Sequence, residues 1–191
     1  RRRVEVGALA PLATTLVGMS LGGLTALATL ASTAEVADRL VLVDITPRPA
    51  AAGVNRILEF MGKDAVEGFA TLDDAADAIA AYQPHRPRPS DLSGLAKNLR
   101  RGEDGRWRWH WDPAFLDTRT GGSSEHARDA HHGELETIAR RLTLPVLLVR
   151  GKLSDLVTEA EVAEFREMVP HAEYVDVADA AHMIAGDKNA F

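Results

Sequence analysis

An α/β fold with a mainly parallel sheet is what this sequence predicts, and three observations predict it. Short runs rich in Val, Ile and Leu recur along the chain. Stretches with apolar residues at helical spacing stand between them. Near each end of the chain the order is strand, helix, strand. Parallel neighbours need a long crossover, usually a helix, so such repeats read as βαβ units.

Taken in order, residues 14–18 of "TTLVGMSLGG" read as a buried strand, and the Ala- and Leu-rich stretch from Leu21 to Leu30 as a helix packed on it. "RLVLVDITP" (39–47) is a second strand, stopped by Pro47. "LPVLLVRG" (144–151) is a third. It is followed by a helix with Thr158 as its cap, Glu161 three residues on, and Val162, Phe165 and Met168 on one face. "AEYVDVAD" (172–179) closes the series. Between Pro49 and Arg141 the pattern changes to helical stretches, a Pro-rich break at "HRPRPS", a Gly/Ser break at residues 121–124 and a polar helix, with no strand of the sheet type. The expected organisation is therefore a core at 1–49 and 142–191 carrying a helical cap or lid at 50–141.

Composition narrows the function. The 191 residues carry 22 Lys and Arg against 28 Asp and Glu, a formal charge of −6, and no long basic run. A binder of nucleic acid neutralises phosphates with clustered cations, so none is expected as a partner. With no cysteine there is no disulfide, thiolate nucleophile or Cys-based zinc site. No apolar run approaches the roughly 20 residues that span a bilayer, so the expectation is a cytoplasmic protein with no membrane partner. His126, His131 and His132 lie on a polar helix without the spacing of a ligand set, and neither a metal nor a cofactor is expected.

The chemistry centres on Gly18-Met19-Ser20-Leu21-Gly22. This G-x-S-x-G stands after a strand and before a helix, where a sharp turn presents the serine, and Gly18 and Gly22 would relieve crowding there. A serine hydroxyl needs a base to take its proton. His182, in "DVADAAHMIAGD", leaves the carboxyl end of the last strand, where sheet enzymes keep catalytic groups, and is the expected base. For the acid that orients it, Asp155 in "RGKLSDLVT" is preferred, because it and His182 leave adjacent strands on one edge. Asp44 is the competitor, ahead of Asp176 and Asp179. Trp107, Trp109 and Trp111 alternate with Arg108 and His110. With Met19 they are candidates to line a substrate pocket, though packing of the cap explains the tryptophans as well.

These residues together resemble successive stations of the α/β-hydrolase fold family. They are closest to its capped members related to epoxide hydrolases, haloperoxidase-type esterases and carbon–carbon bond hydrolases. The resemblance covers nearly the whole chain. It implies Ser20 as nucleophile, His182 as base and then acid, Asp155 as its support, and the Leu21 amide as an oxyanion donor. The expected partner is a small acyl ester, lactone or related substrate cleaved through an acyl-serine. Ser20, where epoxide and haloalkane members have aspartate, argues against their ester intermediate.

Two further expectations follow. The family places about four strands and an "HG"-like loop before the elbow, and the sequence, which opens at Arg1 without methionine, shows no counterpart. The chain is therefore expected to be a fragment with an apolar sheet edge, prone to pair as a homodimer. Loss of one oxyanion donor costs about 100- to 1000-fold in turnover, so weak activity is expected of it alone. The competing functions are a cofactor-free haloperoxidase or perhydrolase using the same triad, and a non-catalytic ligand-binding or dimerising fragment.

Overall fold

The computed structural model describes residues 15–32, 36–116 and 125–187. In chain order its elements begin with β1 (Thr15–Met19), α1 (Leu21–Ser32), β2 (Arg39–Val43), α2 (Ala51–Lys63) and α3 (Leu72–Tyr82). They continue with α4 (Ser93–Ala96), β3 (Leu99–Arg101), β4 (Trp107–Trp109), α5 (Ala114–Leu116) and α6 (Glu125–Ala139). The last are β5 (Val146–Gly151), α7 (Glu159–Met168), β6 (Glu173–Val177) and α8 (Ile184–Asp187). They divide into two compact units, one made of residues up to Val54 and from Glu125 onward, the other running from Asn55.

The first unit is the predicted parallel sheet, in the order β1-β2-β5-β6. Register runs Val17 to Val41, Val41 to Leu147 and Val149 to Val175, every pair parallel. The two inner strands bury Leu40, Leu42, Val146 and Leu148 on one face, and the alternate Val41, Val43, Leu147 and Val149 on the other are half-buried. Helix α1 buries Gly23, Ala26, Leu27 and Leu30, spaced three and four apart along one stripe. On α7 the predicted face of Val162, Phe165 and Met168 is buried. Its predicted start is a capping box: the Thr158 hydroxyl accepts from Ala160 N at 3.2 Å, and Glu161 Oε2 accepts from Thr158 N at 2.8 Å. Among the described residues β1 is an edge strand, with Val17 62% exposed.

The helical insertion expected at 50–141 is corrected in two respects. Helix α6 belongs to the first unit, because Leu135 and Ala139 are buried there and Arg48, just after β2, reaches Glu136 at 2.6 Å and Asp129 at 2.8 Å. The second unit also contains an antiparallel ribbon, β3 on β4, pairing Leu99 with Trp109 and Arg101 with Trp107. Three-residue strands are too short to stand out by periodicity. What makes the ribbon is its turn, where Gly105 takes the left-handed φ of 78° and Asp104 accepts from Arg106 N and Arg108. The Arg108 hydrogen bond, then the Arg106 amide, hold the Asp104 carboxyl down to about 2.

Period two puts Trp107 and Trp109 on one face of β4, against a cluster of Phe69, Ala75 and Leu99. The Trp109 ring meets Phe69 edge-on at 5.6 Å. These two rings serve the core of their own unit.

Phe165 is wholly buried between helix and sheet in the first unit. Phe165→Ala is expected to cost about 3–5 kcal/mol, read as a lowered urea midpoint without change in the slope of the transition.

Candidate active site

The four described strands of the first unit are parallel, so the loops leaving β1, β2, β5 and β6 emerge at one edge of the sheet. The hydrogen-bond ladder continues one residue past the first two strands. Ser20 N donates to Val43 O at 3.2 Å, and Asp44 N donates to Val149 O at 2.7 Å. Ser20 and Asp44 are thus the first residues beyond two neighbouring strands, and both take left-handed backbone angles, φ 50° and 48°. Non-glycine residues adopt these angles at a cost, and the arrangement persists where the surroundings over-determine it.

At Ser20 those surroundings are the start of α1. The Ser20 carbonyl accepts from Gly23 N at 2.9 Å and Leu24 N at 3.3 Å, so strand turns to helix without a connecting loop. A Cβ added at Gly18 would lie 2.6 Å from Gly22 O and from the backbone of Gly23. One added at Gly23 would lie 3.0 Å from Gly18 O and collide with Ile45. At Gly22 a Cβ would meet nothing within 4 Å. The crowding assigned to Gly18 and Gly22 is therefore found at Gly18 and Gly23, since the strand packs on the helix at its third residue rather than its second.

His182 Nδ1 lies 2.8 Å from Asp44 Oδ2. This corrects the preference for Asp155 as the acid. Asp44 has no solvent exposure, and its carboxylate accepts three hydrogen bonds: His182, the Ser154 hydroxyl at 2.6 Å on the same oxygen, and Gly151 N at 3.0 Å on the other. A buried carboxylate needs such partners. The physical reason for the correction lies in how the histidine loop runs. It is tied to the loop after β5 by Lys152 N to Val177 O and Leu153 N to Ala180 O, turns at Asp179 with φ 54°, and passes over Gly151. A Cβ at Gly151 would lie 2.7 Å from Ala180 O and collide with Ala181 O. The bare end of β5 lets His182 cross that strand and reach β2.

Asp155 follows Ser154, whose hydroxyl bonds to Asp44. Its backbone packs on α2, where a Cβ at Gly53 would lie 2.6 Å from the Asp155 carbonyl carbon. Asp176 engages Tyr174 at 2.5 Å and Arg150 at 3.4 Å. The sequence reading missed Gly23, Gly151 and Ser154. The signal for Asp44 was present: "VGMS" and "VLVD" place Ser20 and Asp44 at equivalent positions after adjacent strands.

Leu21 is the first residue of α1 and 45% exposed, so its N–H belongs to the amides that a helix start leaves without an internal acceptor. Neither the Ser20 hydroxyl nor His182 Nε2 has a hydrogen-bond partner among the described residues. In unliganded sites such bonds commonly close only around substrate. Met19 is half-buried at the end of β1. Trp109, which packs on the core of the second unit together with Trp107, also lines a surface groove of that unit with Trp111, Arg100, Arg101, Arg108 and His110. The His131 and His132 rings lie 6.5 Å apart, and burial, then Arg48, push His132 down. The His126 side chain is outside the described residues. Among those described, no group of His, Asp and Glu is placed to hold a metal ion, and no helix is long and apolar enough to cross a membrane.

No family model matches the chain. Two curated relatives do. The chain is 32% identical over 185 residues to the esterase Rv0045c of Mycobacterium tuberculosis, covering 94% of this chain and 58% of that protein. It is 30% identical over 171 residues to a 3-hydroxybutyrate-oligomer hydrolase of Cupriavidus necator, covering 86% and 57%. The chain thus spans under three fifths of either relative. The crystal structure of Rv0045c superposes with a TM-score of 0.71, over 97% of this chain and 59% of that one. The crystal structure of E-2-(acetamidomethylene)succinate hydrolase superposes with a TM-score of 0.76 at 22% identity, over 96% of this chain and 65% of that one, a likeness of fold.

The turn geometry predicts opposite effects at neighbouring glycines. Gly22→Ala is expected to raise stability by about 0.4–1 kcal/mol, since alanine favours the helix and finds open space. Gly18→Ala and Gly23→Ala are each expected to lower it by about 1–3 kcal/mol through collision with backbone or with Ile45. Urea unfolding of the three variants checks the order.

Proposed function

The chain belongs to the α/β-hydrolase fold family, and on that premise we propose that it is a serine hydrolase acting on a small ester, lactone or related acyl substrate through Ser20, His182 and Asp44. The observation that carries the reading is the 2.8 Å bond from His182 Nδ1 to the wholly buried Asp44, on the sheet edge that also bears Ser20. The esterase and oligomer-hydrolase names of its relatives support the same reaction class.

In this scheme the bond to Asp44 fixes the imidazole tautomer, with the proton on Nδ1 and the lone pair on Nε2. Nε2 takes the Ser20 proton as Oγ attacks the acyl carbon. The charge left on the imidazolium faces the Asp44 carboxylate, and the oxyanion is met by the Leu21 N–H at the positive end of α1. His182 then gives its proton to the leaving oxygen. Water, activated by the same nitrogen, attacks the acyl-serine and restores Ser20. The left-handed turn at Ser20 contributes by presenting Oγ clear of the strand and the helix.

The test is labelling by a fluorophosphonate probe together with hydrolysis of short p-nitrophenyl esters. Wild type should be labelled, and Ser20→Ala should not. His182→Ala and Asp44→Asn should lose turnover by about a thousand- to ten-thousandfold, the size expected when the base is removed or its tautomer is wrong. Asp155→Asn should stay within about threefold of wild type, because Asp155 is not the carboxylate on His182. Full activity in Asp44→Asn would overturn the assignment.

A further inference from the structure

Among the described residues, Ser154 is the one side chain on the Asp44 carboxylate that the proposed reaction does not use. We propose that it is a positioning residue, resting on the triad above: its hydroxyl orients the acid and limits how strongly Asp44 holds the charge on His182. The hydroxyl is buried, and its direction is fixed by its neighbours. Leu156 N at 3.1 Å and Val157 N at 3.3 Å both donate to Ser154 Oγ, occupying its lone pairs. A hydroxyl has one proton to give, so it goes to Asp44 Oδ2 at 2.6 Å, within the range of a charge-assisted O–H···O⁻ bond.

The same Oδ2 receives His182 Nδ1 at 2.8 Å. Two donors therefore share one carboxylate oxygen, and each withdraws charge from the other's bond. With Ser154 in place the carboxylate cannot rotate away from the imidazole and does not hold the imidazolium at full strength. That suits a base which must be neutral to take the Ser20 proton and charged only in the transition state. Without the hydroxyl, Oδ2 keeps His182 alone, the imidazolium is favoured, and the base stays protonated to higher pH. The carboxylate is also freer to turn.

The experiment follows the His182 ring by 15N NMR across pH in wild type, Ser154→Ala, Ser154→Cys and Ser154→Thr. Alongside it run kcat and KM on a p-nitrophenyl ester, with Ser20→Ala and Asp44→Asn as controls. Titratable groups on neighbouring elements include Arg48 with Asp129, His132 and Glu136 of α6, Lys152 and Asp155 after β5, Arg150 on β5, Glu173, Tyr174 and Asp176 on β6, and Asp179 after β6. All are kept in every Ser154 variant, so their fields are common to the profiles.

Ser154→Ala is expected to raise the His182 titration midpoint by about half a unit or more and to lower kcat about tenfold, with KM changed less than about twofold. Ser154→Cys, a weaker donor of similar size, should shift in the same direction, which keeps the test open if the alanine variant does not fold. Ser154→Thr should return both values toward wild type. A role confined to satisfying the Leu156 and Val157 amides would lower the urea midpoint of Ser154→Ala and leave the His182 titration unmoved, and that result overturns the proposal. If Ser20→Ala hydrolyses the ester like wild type, the triad reading falls instead. The NMR titration still decides whether Ser154 tunes His182.

Discussion

A carboxylate with no exposure to water lies where the segments leaving β2, β5 and β6 meet. Burying Asp44 is costly unless its oxygens are met, and here they are met by a backbone amide, a hydroxyl and an imidazole from three positions along the chain. Gly151 N requires β5 to lie beside β2. The hydroxyl requires the loop after β5 to turn back over the strand ends, and the imidazole requires the loop after β6 to cross β5. Satisfying one group thus constrains most of the sheet's carboxyl edge. Conversely, removing any donor leaves a buried charge short of a partner, so architecture and chemistry are coupled at one side chain.

Two backbone conformations express the same constraint. Ser20 and Asp44 both sit at positive φ, where a side chain is disfavoured, and both are held there by ladder bonds to the next strand. Glycines are needed where backbones then approach each other, at Gly18 and Gly23 beneath the elbow and at Gly151 beneath the histidine loop. The strain at the turns is sustained by packing that only an absent Cβ permits. Stability drawn from the inner strands and from α7 is what holds these turns in place.

Much of this was legible in the sequence. The strands at 39–43, 146–151 and 173–177 announce themselves by β-branched runs, α7 by its capping box, and Ser20 and His182 by their places after strands. The carboxylate that meets His182 was not, because strand periodicity carries no information on how far a loop reaches laterally. Asp155 and Asp44 both follow strands, and only the crossing over Gly151 decides between them. The ribbon of β3 and β4 was hidden for a different reason. Its strands are three residues long and are made by a turn and by Phe69 pairing with Trp107, a contact distant in sequence. Helix α6 reads as polar because charged and histidine residues fill its exposed side, with Asp129 and Glu136 meeting Arg48, so composition placed it with the insertion although its buried Leu135 and Ala139 belong to the sheet unit.

A loop that holds a buried carboxylate must itself be held, and the segment from Lys152 to Val157 is fastened at both ends. At one end Ser154 donates to Asp44 while accepting from Leu156 and Val157. At the other, Arg150, buried in β5, donates from Nε to the Val157 carbonyl at 2.8 Å. Burial opposes a guanidinium charge there, and Tyr174, Asp176 and Glu159 outweigh it, so that the Arg150 charge is held more firmly than in water. The cation is oriented from the β6 side and grips the loop from beneath. Both clamps draw on β5, Ser154 through the loop that leaves it and Arg150 from within it. Their common origin means that the Asp44 carboxylate is referenced to an inner strand of the sheet and not to the surface. That anchoring to the sheet is what sets Asp44 Oδ2 at 2.8 Å from His182 Nδ1.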